Sequence, residues 1–229
     1  MEQKGPSRVT FYVWQLPVRL FHWINALCIV LLIITGYLIG NPVALQNSQE
    51  AHMGHWFGTV RLIHFAAAYV FLFAWIYRII YAFMGNQYAR WTNYLPLSQK
   101  QWDEFKDVIA IDIFMMVEER KIHSPGHNSV ACLSYLFLGL ASVFQIASGF
   151  GLLAPMSEWW IADLFTWIVP MMDGDTNVRF WHHLMMWFFV IFTMVHVYIV
   201  AFHDYVEARG TTSSMIGGWK FVEEKDLQK

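Results

Sequence analysis

The stretch RFWHHLMMWFFVIFTMVHVYIVAFH, residues 179–203, constrains the chain more than any other. It is long and apolar enough to cross a bilayer, yet it carries His182, His183, His196 and His203. An ionisable side chain in hydrocarbon is costly, so its presence there points to function. His182 and His196 are fourteen residues apart. On an α-helix that spacing is a rise of about 21 Å and a net rotation of about −40°, so the two rings share a face at two depths. His183 and His196 differ by a net rotation of about 140° and point to different faces.

The rest of the chain has the same character. Of 229 residues, 57% are hydrophobic and 14% charged, with 12 Trp, which excludes an ordinary soluble domain. There is no basic cluster suited to nucleic acid. Cys28 and Cys132 fall inside apolar runs without CxxC spacing and read as small core residues. The N-terminal residues lack a signal-peptide layout, so the first apolar run is expected to be retained as a span.

Four spans are predicted, at about 21–40, 57–84, 128–153 and 179–202, giving an all-α, four-helix integral membrane bundle in one domain, 1–229. Pro17 suits the first turn of span one, and Asn41-Pro42 ends it. Arg78, near the end of span two, is expected to snorkel to the interface. Residues 100–120 mix Trp102, Phe105 and Phe114 with acids and lysines and read as an amphipathic helix at the cytoplasmic surface. The loop 154–178 carries Trp159, Trp160 and Trp167 and suits a half-buried interfacial segment. Lys and Arg concentrate in the N-terminus, the second loop and the tail, while Arg61 and Arg179 sit at helix starts. The positive-inside rule then puts both termini in the cytoplasm.

Orientation converts position into depth. His22 and His196 fall near the cytoplasmic face, His64 and His182 near the outer face. Neutral imidazole is a good axial ligand for haem iron, and helix bundles build cofactor sites between facing helices. Two bis-histidine b-type haems account for all four residues. Gly36, Ala66 and Gly149 allow the close approach such a group needs. No CxxCH occurs, which excludes covalent c-type attachment. The competing reading is a set of hydrogen-bonded packing histidines, or a haem-free permease that uses them as a relay. His183 is the rival to His182 and is assigned a supporting role. His203 lies past the hydrocarbon boundary, and His52 and His55 are solvated loop residues.

Several pieces in order, PVRLFHW (17–23), TGYLIG (35–40), RLIHFAAAY (61–69), RIIYAFMGNQYAR (78–90), GHN (126–128), SGF (148–150), WHHLMMW (181–187), VHVY (195–198) and SSMIGGW (213–219), resemble the b-type cytochrome subunit of membrane-bound nickel-iron hydrogenases. The likeness covers nearly the whole chain. It departs where the family's WHxLGMW reads WHHLMMW and its GHNP reads GHNS, which changes the packing at the first and the start of helix three at the second.

The resemblance implies two non-covalent haem b groups on His22, His64, His182 and His196. It implies a bacterial inner-membrane, multi-pass subunit that anchors a small iron-sulfur subunit and a large nickel-iron subunit on the periplasmic side. Electrons from hydrogen oxidation then reach membrane quinone. His127 and Asn128, at the cytoplasmic start of span three, and nearby His123 are the candidates for quinone contact. Related alternatives are a cytochrome b serving formate dehydrogenase or thiosulfate reductase, or a stand-alone quinol oxidase.

Overall fold

The structure, a computed structural model, describes residues 8–43, 54–93, 99, 102, 103, 106, 129–207 and 210–223. It is mostly helical. Among the described residues four helices are long and apolar enough to cross a membrane: α1 (Leu16–Gly40), α2 (Trp56–Met84), α3 (Ser129–Leu153) and α4 (Asp175–Glu207). They match the four predicted spans, with α1 starting earlier and α4 extended at both ends. Helix α1 starts at Leu16 because Pro17 falls in the first turn, where its missing N–H costs no intrahelical bond. Helix α4 runs on through Asp204 to Glu207, as polar residues can continue a helix beyond the apolar region.

The chain clusters into two compact units. One holds Met1–His22, Tyr77–Gly139 and His196–Lys229, the other Trp23–Ile76 and Leu140–Val195. Each unit therefore contains one of the histidine pairs that sequence depth had matched, His22 with His196 in the first and His64 with His182 in the second.

The first unit corrects the all-α expectation. Its two chain ends pair as an antiparallel sheet, β1 (Arg8–Tyr12) with β2 (Trp219–Glu223), in a register that sets Arg8 opposite Glu223 and Tyr12 opposite Trp219. The Tyr12 and Trp219 rings lie 5.0 Å apart, a cross-strand aromatic pair. A short helix, α5 (Thr211–Gly217), leads into β2 through Gly218. The φ of Gly218 is +89°, and a Cβ there would lie 2.5 Å from the Tyr12 ring. The Gly218 carbonyl accepts from the N–H of Val13 at 2.9 Å and of Trp14 at 3.2 Å. Arg19 donates to the Ile216 carbonyl and reaches the Tyr12 hydroxyl at 3.4 Å. Trp14 is 3% exposed, with Lys220 Nζ 5.5 Å over its ring. Burying an indole removes about 200 Å² and contributes roughly 5 kcal/mol as an upper bound.

The end of α2 joins the same cap. The Tyr81 hydroxyl donates to Gln15 Oε1, and Asn86 donates from its backbone to Gln15 Oε1 (3.1 Å) and from its side chain to the Val13 carbonyl (2.9 Å). Arg78 does not snorkel. It is 3% exposed, donates from Nη2 to the Ala89 carbonyl at 3.2 Å, and stands 5.4 Å over the Tyr135 ring. A guanidinium in a protein interior needs such partners, because its desolvation is otherwise uncompensated.

In the second unit, Phe150, Leu153, Ala154 and Ala162 form a core against which Phe65, Tyr69 and Leu72 pack. The 154–178 loop is a 3-10 turn (Ala154–Met156) and two short helices, Trp160–Asp163 and Ile168–Met171. It buries Ala162 and Ile168 and leaves Trp159, Trp160 and Trp167 exposed, as interfacial indoles are at a membrane surface. The predicted surface helix of 100–120 lies outside the described residues except for Trp102, Asp103 and Lys106, which are helical, with Lys106 3.3 Å from Asp103.

Candidate functional site

The second unit builds its histidine site with one device used twice. Thr35 Oγ1 lies 2.6 Å from the Leu31 carbonyl and 2.8 Å from His64 Nδ1. Ser148 Oγ lies 2.7 Å from the Phe144 carbonyl and 2.8 Å from His182 Nδ1. A hydroxyl has one proton, and a carbonyl can only accept. Each hydroxyl therefore donates to its own helix and accepts from the imidazole. Nδ1 must carry the ring proton, which leaves the Nε2 lone pair available in both histidines.

The residue after each hydroxyl is a glycine. A Cβ on Gly36 would lie 3.3 Å from His64 Cε1, and one on Gly149 would lie 3.1 Å from His182 Cε1. The pairs Thr35-Gly36 on α1 and Ser148-Gly149 on α3 thus seat rings from α2 and α4. Thr35 and Ser148 were missed in the sequence reading. Their signal was the repeated hydroxyl-glycine-aromatic triplet, TGY at 35–37 and SGF at 148–150.

His64 and His182 line one cavity of about 400 Å³, within the range that holds organic cofactors. Its wall is mostly apolar, with Phe65, Met186 and Phe189 among the lining side chains. Gln145 Oε1 is buried at this wall with no hydrogen-bond partner among the described residues. His183 also lines the cavity but is held differently. Its Nδ1 donates to the Arg179 carbonyl at 2.9 Å, and its ring occupies the space where a Cβ on Gly40 would stand. His182 is therefore seated on α3 and His183 on α1.

In the first unit, the His22 and His196 rings stand with centroids 6.4 Å apart and planes inclined by 51°. Two metal–nitrogen bonds of about 2 Å, plus each ring's own half-width, set the centroids of two axial imidazoles roughly 6 Å apart. The observed separation of the two rings matches that value. Among the described residues no group of three His, Cys, Asp or Glu side chains gathers as a metal-ion site. Two imidazoles alone do not complete a zinc-type site, whereas a haem brings four equatorial nitrogens and needs only axial donors.

The profile of the prokaryotic cytochrome b561 family matches residues 13–218. The chain belongs to the prokaryotic cytochrome b561 family. It is 34% identical over 227 residues to the probable Ni/Fe-hydrogenase B-type cytochrome subunit of Azotobacter vinelandii, covering 97% of this chain and 93% of that one. It is 35% identical over 224 residues to the protein of the same name from Cupriavidus necator, covering 96% and 91%. The probable Ni/Fe-hydrogenase 1 B-type cytochrome subunit of Escherichia coli K12 is 32% identical over 225 residues, covering 96% and 94%.

A b-type cytochrome with four apolar helices is a multi-pass protein of the bacterial inner membrane, and its cofactor is haem b. The donor set of this cytochrome b561 fits that group: a histidine pair in each unit, one pair with its ring protons fixed away from Nε2. The remaining candidates stand apart. His123, His127 and Asn128 lie outside the described residues, as does His52, while His55 is exposed. Cys28 and Cys132 are buried and form no disulfide, as expected of core residues.

Proposed function

We propose that this cytochrome b561 is the di-haem membrane anchor that carries electrons from a periplasmic nickel-iron hydrogenase to membrane quinone. The observation that carries the reading is the sorting of four intramembrane histidines into two pairs, each contained in one unit. The names of the relatives support the hydrogenase as donor.

Each haem, when bound, supplies a one-electron carrier. His64 and His182 hold the outer one and His22 and His196 the inner one, so α4 contributes a ligand to both. Thr35 and Ser148 keep His64 and His182 in the tautomer that presents Nε2. The apolar wall, with Phe65, Met186 and Phe189, excludes water from the outer site and so limits the reorganisation that accompanies electron transfer. With both termini in the cytoplasm, the outer pair would lie on the side of the iron-sulfur subunit that donates electrons and the inner pair on the quinone side. His127 and Asn128 contact quinone by hydrogen bonding, and the imidazoles of His127 and nearby His123 relay protons to it from the cytoplasmic side.

The test is hydrogen-dependent quinone reduction in membranes that hold the whole complex. His64→Ala or His196→Ala should abolish it while hydrogen-dependent reduction of a soluble dye persists. Quinone reduction that survives either substitution contradicts the path. Unchanged quinone reduction after joint replacement of His127 and Asn128 removes those two from the quinone site.

A further inference from the structure

Three of the four paired histidines are preceded at i−3 by arginine: RLFH at 19–22, RLIH at 61–64 and RFWH at 179–182. On a helix, i and i+3 lie on one face about a turn apart, so each arginine stands one turn from its histidine. The structure puts the three arginines to different uses. Arg19 is committed to the terminal cap, where it donates to the Ile216 carbonyl and reaches the Tyr12 hydroxyl at 3.4 Å. Arg61 and Arg179 instead line the cavity that holds His64 and His182.

Two guanidinium groups on a mostly apolar wall call for anionic partners. Arg61 has only weak contacts, with Met156 Sδ at 3.0 Å and the Phe65 ring 5.6 Å from its Cζ, and no acidic partner among the described residues. Arg179 reaches Asp175 Oδ2 at 3.4 Å, but these side chains are 52% and 64% exposed. An exposed i,i+4 pair of that kind contributes little and exchanges readily for a better anion. Haem b carries two propionate carboxylates at one edge, and the guanidinium fork is matched to a carboxylate.

We propose that Arg61 and Arg179 form the propionate clamp of the outer site, each binding one carboxylate of the haem that His64 and His182 hold. The clamp rests on the di-haem reading and adds to it what orients the macrocycle about the iron axis. The clamp would hold the two carboxylates near the starts of α2 and α4, where Arg61 and Arg179 sit. Arg19, the arginine one turn from His22, is instead occupied in the cap.

The test uses the full chain in lipid nanodiscs, with His22→Ala and His196→Ala introduced so that only the outer site loads. The apoprotein is titrated with haem b and with its dimethyl ester, whose carboxylates are neutral. A charge-assisted hydrogen bond is worth roughly tenfold or more in affinity. The parent should therefore bind haem b well over tenfold more tightly than the diester. R61Q/R179Q should bind both alike, at the parent's affinity for the diester, which also reports that the site remains folded. R61K/R179K should restore part of the preference. If the double Gln variant holds neither form, R61Q and R179Q singly should each lose part of the preference. A preference for haem b unchanged in the Gln variants overturns the clamp. Failure of the histidine reading looks different: His64→Ala or His182→Ala would then leave binding of both forms intact.

Discussion

Ser148 and His182 form a hydrogen bond of fixed sense: the imidazole Nδ1–H donates to the serine Oγ at 2.8 Å, because the serine proton is already given to the Phe144 carbonyl. Thr35 and His64 repeat it on another pair of helices. Loss of such a partner typically lowers metal affinity about 10- to 100-fold. Ser148→Ala and Thr35→Ala should accelerate haem transfer to a soluble scavenger by a factor in that range. Thr35→Ser and Ser148→Thr should stay close to the parent. Equal transfer rates in all four variants would show that the hydroxyls only satisfy their own helices.

The glycines beside them set a steric limit. A Cβ on Gly149 already stands 3.1 Å from the His182 ring and one on Gly36 3.3 Å from the His64 ring. Gly149→Val and Gly36→Val should displace the rings and cut haem content to about half of the parent's, with membrane insertion intact. Gly58 has open space around it, so Gly58→Ala is the control that should leave haem content unchanged.

The terminal clasp depends on Gly218. Its φ of +89° and the nearness of Tyr12 and the Trp14 carbonyl make any side chain strained there. Gly218→Ala should cost about 1–3 kcal/mol and expose the N-terminus to protease. Gly217→Ala, where no atom lies within 4 Å of the added methyl, should do neither. Melting curves in detergent and a timed digest read the difference.

Arg78 yields a contrasting prediction about charge. Arg78→Ala strands the Ala89 carbonyl and removes the cation over Tyr135, and should destabilise by roughly 2 kcal/mol or more. Arg78→Lys should recover little, since an ammonium has neither the planar fork nor the reach. Arg90→Ala, on an exposed residue, should lower the melting temperature much less.

The four spans were legible because a membrane span must be a long apolar run, and that signal is local. His22 with His196, and His64 with His182, each fall within one unit, the grouping that position along alternating spans predicts. The β1–β2 clasp was not legible. Five-residue strands such as RVTFY and WKFVE alternate weakly, and nothing local names a partner at the far end of the chain. Arg78 was misread because a cation near a span end ordinarily reaches water, and only the tertiary arrangement brings Ala89 and Tyr135 to it. Thr35 and Ser148 were overlooked because a hydroxyl in an apolar helix bonds its own i−4 carbonyl and looks satisfied. Its second bond exists only across helices.

Counting haem by pyridine haemochrome in the purified complex tests the central claim most directly. The parent should hold two haem b per cytochrome chain. His64→Ala, His182→Ala, His22→Ala and His196→Ala should each hold one, and His64→Ala/His196→Ala none. One haem in the parent contradicts the account, as does a full complement in any of these variants.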